Sequence, residues 1–82
     1  MDKDKIPSPD ELTYGELAVD LSFNPSSSGE VHNCKVSFAS EIDRMAKLRS
    51  RSTGERARLC SVAITEMQTA QMWAVKALTC KE

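Results

Sequence analysis

The sequence predicts an all-α fold: a helical hairpin of two long helices behind a short N-terminal helix, assembled as a homo-oligomer. Three observations carry that expectation. Apolar residues recur at helical period over residues 28–48 and again over 53–79, and neither stretch alternates as a strand would. Three S-x-x-E spacings stand where helices would begin. The apolar arc of the last helix covers well over half its circumference, more than one partner helix can bury.

The elements follow in chain order. Residues 1–7 are rich in charge, carry only Met1 and Ile6 as apolar side chains before Pro7, and read as disordered. "SPDE" at 8–11 opens a helix: Ser8 caps, Pro9 suits the first helical position and Glu11 completes a capping box. This helix spans 9–21, weakened at Gly15. "FNPSSSGE" at 23–30 is a loop, because Asn24 precedes a proline and serines and a glycine follow. Ser27 and Glu30 then cap a helix over 28–48. On a wheel of about 100° per residue, Val31, Cys34, Phe38, Ile42, Met45, Ala46 and Leu48 share one face. Lys35 breaks the pattern, projecting onto that apolar face between Ile42 and Ala46. After "RSRSTGE", Ser52 and Glu55 open the last helix, over 53–79. Its central face reads as Leu59, Ala63, Met67, Ala70, Ala74, Ala77 and Leu78. Cys60, Ile64 and Val75 widen it on one flank, Val62 and Trp73 on the other. Glu66 falls inside the arc, where a buried carboxylate would need partners.

The whole chain of 82 residues reads as a single domain, and a core that small is marginal without help. Three cysteines without a C-x-x-C and a single histidine supply neither a disulfide framework nor a metal site, so no cofactor is implied. Oligomerisation is the remaining stabiliser. There is no run of about 18 apolar residues and no signal-peptide pattern, so a cytoplasmic setting without a membrane is expected. Catalytic motifs are missing as well: no G-x-S-x-G, H-E-x-x-H or P-loop occurs, which argues for a binding protein rather than an enzyme.

Charge is uneven. Residues 44–58 hold six basic side chains and one acid, a local +5 in a chain of net −1, so the remainder carries −6. Such a stretch is a solvated turn or a patch for phosphates, and a nucleic-acid- or protein-binding regulator using this turn is the alternative functional reading. The acidic remainder and the scarcity of aromatics disfavour DNA or RNA. Lys35 can snorkel to water, or its ammonium can meet an anion in a pocket between copies. Phe23 can staple the helix that follows or offer a stacking platform for a base.

"LCSVAITEMQTAQMWAVKALT" (59–79) resembles the C-terminal helix of small phage proteins that sequester cyclic-nucleotide signals, the anti-CBASS and anti-Thoeris sponges. The matching pattern is Ala63, Ile64, Thr65, then Ala70, Met72, Trp73, Ala74, Lys76, Ala77 and Leu78. "LSFNPSSSGEVHNCK" (21–35) is similar to the loop and first-helix start of short members. The resemblance, closest to the anti-CBASS type, implies a homo-oligomer, typically a hexamer. It would hold cyclic dinucleotides, cyclic trinucleotides or cyclic ADP-ribose-like signals between subunits, uncleaved, in the cytoplasm of an infected bacterium. It further implies that Phe23 stacks on a base and Lys35 meets phosphate. Asn24 stands where many members have the arginine of a Tyr-Arg pair, a departure that bears on ligand choice. Arg58 and Thr65 become candidates for a trinucleotide pocket, and Met67, Met72 and Trp73 for the subunit interface.

Overall fold

A computed structural model describes residues 11–25 and 27–81. The disorder expected for 1–7 and the Ser8–Pro9 helix start lie outside the described residues. Within them the chain is helical with no strand: α1 spans Tyr14–Ala18, α2 Gly29–Ser50 and α3 Gly54–Thr79. The two long helices pair as a hairpin and α1 lies across α2.

The first helix is shorter than expected and its box is a different one. Glu16 donates its N–H to Thr13 Oγ1 (3.1 Å), and Thr13 donates its N–H to Glu16 Oε1 (2.9 Å). T-x-x-E therefore does here what S-x-x-E was expected to do five residues earlier. The helix ends at Ala18, and Asp20 adopts the left-handed conformation, φ 54°. Gly15, read from sequence as a weak point, is the docking point of the helix. Its N–H donates to the Asp43 carboxylate (2.7 Å), and a Cβ at this position would run into the Ala39 carbonyl.

The second helix is capped one residue later than the Ser27–Glu30 spacing implies. Ser28 Oγ accepts from the N–H of Val31 (3.3 Å), while Ser27 sits just outside at φ 52°. Asn24 steadies the cap: its Nδ2 donates to the Ser28 carbonyl and its Oδ1 accepts from the Ser28 N–H. Ser28→Ala should therefore cost about 1 kcal/mol in urea unfolding. Ser27→Gly should be neutral or stabilising, because glycine adopts positive φ without strain.

The third box does not form. The Ser52 hydroxyl donates back to the Leu48 carbonyl (2.6 Å), the N-cap falls at Thr53 without a side-chain bond, and Gly54 turns the chain at φ 61°. Glu55 takes Arg58 instead.

Val19, Ala39, Ile42 and Ile64 form the buried centre, with Ala18, Leu21, Phe38, Met45, Ala46 and Met67 packed around it. Two polar bonds tie the layers together: Gln68 Nε2 donates to the Ala18 carbonyl (3.1 Å), and Arg49 Nη1 to Ser61 Oγ (3.0 Å). On α3 the buried residues are Cys60, Ile64 and Gln71. What the wheel made a flank is the buried face. Leu59, Ala70, Ala77 and Leu78, assigned to the centre, are exposed, and so are Val62, Glu66 and Trp73. Glu66 is thus a solvated carboxylate, not a buried one.

Candidate functional site

The residues that connect α1 to α2 build one wall of a cleft. Phe23 donates its N–H to the Asp20 carbonyl (2.9 Å), closing a turn that leaves the carbonyls of both residues facing Lys35. Lys35 Nζ donates to Asp20 O (2.8 Å) and Phe23 O (2.6 Å), and lies 5.6 Å from the centre of the Phe23 ring. The lysine is only 4% exposed, whereas Phe23 is 62% exposed. The ring thus roofs a buried ammonium and presents its other face outward.

The opposite wall is the last third of α3. Ala18, Val19, Asp20, Phe23, Lys35, Gln71, Met72 and Val75 enclose about 310 Å³, at the lower end of small-molecule sites. The wall is mostly apolar, with Lys35, Asp20 and Gln71 supplying the polar groups. Among the described residues no carboxylate lies within ion-pair distance of Lys35. Two carbonyl dipoles only partly offset the buried cation, and the Asp20 carboxylate, also in the lining, does not reach ion-pair distance of it. An ammonium has three donors, and the carbonyls take two. Chemically, the site offers a π-face, a cation with one further donor and a carboxamide.

This geometry sorts the residues expected from sequence. Phe23 and Lys35 come together, with Met72 at the lip of the same cleft. Asn24 is next to Phe23 in the chain, but its amide braces the α2 cap and does not line the cleft. Arg58 lies 13 positions before Gln71 on α3, about 20 Å along the helix axis. There Arg58 Nε and Nη2 grip the Glu55 carboxylate (2.8 and 2.6 Å) on the surface. The guanidinium holds that carboxyl below its ordinary pKa. Thr65 is exposed on α3 and lines no part of the cleft. Met67 packs into the core of its own chain, while Met72 and Trp73 are 63% and 65% exposed.

The basic turn is partly neutralised or occupied within the chain. Arg58 pairs with Glu55, Arg44 with Glu41 (3.7 Å), and Arg49 bonds Ser61 while covering the Tyr14 ring at 5.6 Å. That weakens it as a free phosphate-binding strip.

Sequence reasoning missed Gln71. The available signal was its spacing of 7 from Ile64 and 4 from Val75, which puts it on the Ile64 flank of the helix. Among the described residues no group of His, Cys, Asp and Glu could hold a metal ion, and no helix is long and apolar enough to cross a membrane. The three cysteines are free thiols.

Comparison with known proteins places this geometry in context. The model of a family described as "Acb2/Tad1, hairpin domain" matches residues 16–79, from α1 to the end of α3. None of the curated proteins and none of the solved structures compared with the chain matches it.

Proposed function

The chain belongs to the Acb2/Tad1 hairpin-domain family, and from that premise we propose that it is a phage anti-defence protein that sequesters cyclic oligonucleotide immune signals. It binds them and does not cleave them. The observation that carries this reading is the buried Lys35 ammonium beneath the exposed Phe23 ring. A cyclic dinucleotide offers what that pair lacks: a base for the open ring face and a phosphate for the third donor. The anti-CBASS type is favoured on the resemblance carried by residues 21–35 and 59–79. The protein acts in the cytoplasm of the infected bacterium.

The cleft is small and shallow, and a second copy would complete it. Leu59, Val62 and Trp73 are exposed at spacings of 3 and 11, which align on one stripe of α3, and Met72 stands between that stripe and the cleft. Burial of the stripe against another copy gives a homo-oligomer, with the hexamer favoured, whose contacts border the ligand. Met67 supports this surface from inside the chain. In this reading Arg58 and Thr65, remote from the cleft, serve a separate pocket for cyclic trinucleotides.

Calorimetry with cyclic dinucleotides and trinucleotides tests the proposal, followed by recovery of the ligand from denatured protein. Binding with intact ligand recovered is the expected result. No binding to any cyclic nucleotide would overturn it, and a degraded ligand would make the protein an enzyme. Native mass spectrometry of the same sample reports the oligomer.

A further inference from the structure

Gln71 is 6% exposed and occupies the buried face of α3 with Cys60 and Ile64. Among the described residues none hydrogen-bonds its carboxamide. Yet among these residues no buried side-chain nitrogen or oxygen is left without a partner. Both statements hold only if the amide atoms form the small part of Gln71 that reaches the surface, and Gln71 lines the cleft. The stem is packed in the core, and the carboxamide reaches the surface at a residue that lines the cleft. An apolar side chain at this position would pack as well and desolvate nothing. A polar group placed against the local packing rule, with no partner among the described residues, marks a functional position.

We infer that Gln71 is a specificity-determining residue, its carboxamide reading the edge of the base that stacks on Phe23; this rests on the cyclic-nucleotide reading above. An amide presents an acceptor oxygen beside donor N–H groups. Its matching partner alternates in the same way, as adenine does with its N6 amino donor and N7 acceptor. The equivalent edge of guanine offers two acceptors, N7 and O6, so the amide oxygen would face O6 and one acceptor would lose its donor. Lys35 attracts any cyclic nucleotide through phosphate, whereas Gln71 separates adenine from guanine.

The test is calorimetric titration of two matched ligands, the cyclic dinucleotide with two adenines and the one with two guanines. Each is titrated into the unmodified protein and into Gln71→Leu and Gln71→Met. The unmodified protein should favour the adenine ligand by about tenfold or more, the discrimination a bidentate base contact supplies. Both variants should bring the ratio close to one, with melting temperature and oligomer mass maintained. The methionine variant, unbranched like glutamine, guards against a packing failure of leucine. Equal affinity of the unmodified protein for the two ligands would overturn the inference. So would a ratio that survives both substitutions, or an equal loss of both ligands in both variants. Each of these leaves the sequestration reading standing. That reading fails, and the inference with it, only if the unmodified protein binds no cyclic nucleotide.

Discussion

Lys35→Met is expected to weaken cyclic dinucleotide binding by tenfold or more while changing stability far less. Methionine keeps the packed stem and removes the ammonium. The affinity term follows from the lost phosphate contact, since a hydrogen bond to a charged group contributes about 1.5–3 kcal/mol. The stability term is a near-balance. Two bonds, to Asp20 O and Phe23 O, disappear, but so does the cost of keeping a cation buried with no carboxylate within ion-pair distance. Loss of those bonds also releases the turn at residues 20–23, so the Phe23 amide, bonded to Asp20 O, should exchange with solvent faster. Isothermal titration, urea unfolding and hydrogen exchange read the three effects separately. Unchanged affinity removes Lys35 from the site. An affinity loss no larger than the stability loss reduces it to a latch for the loop. Lys35→Ala, which also removes the stem, should lose both binding and stability.

Gly15→Ala is expected to destabilise the protein by about 2 kcal/mol, which is an overpacking cost of 1–3 kcal/mol partly offset by the better helix propensity of alanine. The obstruction is backbone: the new Cβ meets the Ala39 carbonyl, which α2 cannot move without breaking its own ladder. Relief requires α1 to lift, and that pulls the Gly15 N–H from Asp43. In a domain of this size the melting temperature should fall by roughly 8–16 °C. Gly29→Ala is the matched control, because a Cβ there meets nothing within 4 Å. The functional consequence is specific, since Ala18, Val19 and Asp20 form the α1 end of the cleft. Affinity for ligand should therefore drop in Gly15→Ala even below its melting transition. If calorimetry and thermal unfolding find Gly15→Ala indistinguishable from Gly29→Ala, then α1 is not held by this contact.

Which boundaries could be read in advance depended on how local their cause is. The C-terminal end of α3 at Thr79 matches the expected one because the periodic pattern stops there. Ser27, Ser52 and Thr13 show the limit. All three satisfy a capping spacing in sequence, but only Thr13 uses it, because Ser27 sits outside the helix at φ 52° and the Ser52 hydroxyl has another acceptor. Ser28 is the residue next to the Asn24 brace, and Ser52 is drawn back to the Leu48 carbonyl. A box is a competition among nearby acceptors, and adjacent serines leave the winner undecided until the loop takes its path.

The sequence by itself determined two long amphipathic helices, the loop and turn between them, and a lysine on the apolar face of the first, because helical period and turn chemistry are local properties. Only the tertiary structure decided which side of the wide apolar arc of α3 turns inward. The period of a helix gives the width of such an arc and says nothing of what will cover it. Packing of α3 against α2, with the Gln68 bond to Ala18 at its side, settles that choice. It buries Cys60, Ile64 and Gln71 and leaves Leu59, Val62 and Trp73 outside. Docking of α1 on α2 through Gly15 sets the Asp20 and Phe23 carbonyls against Lys35. The misplaced lysine of the sequence thereby becomes the floor of a cleft, and Gln71, unremarked in the sequence, becomes its wall.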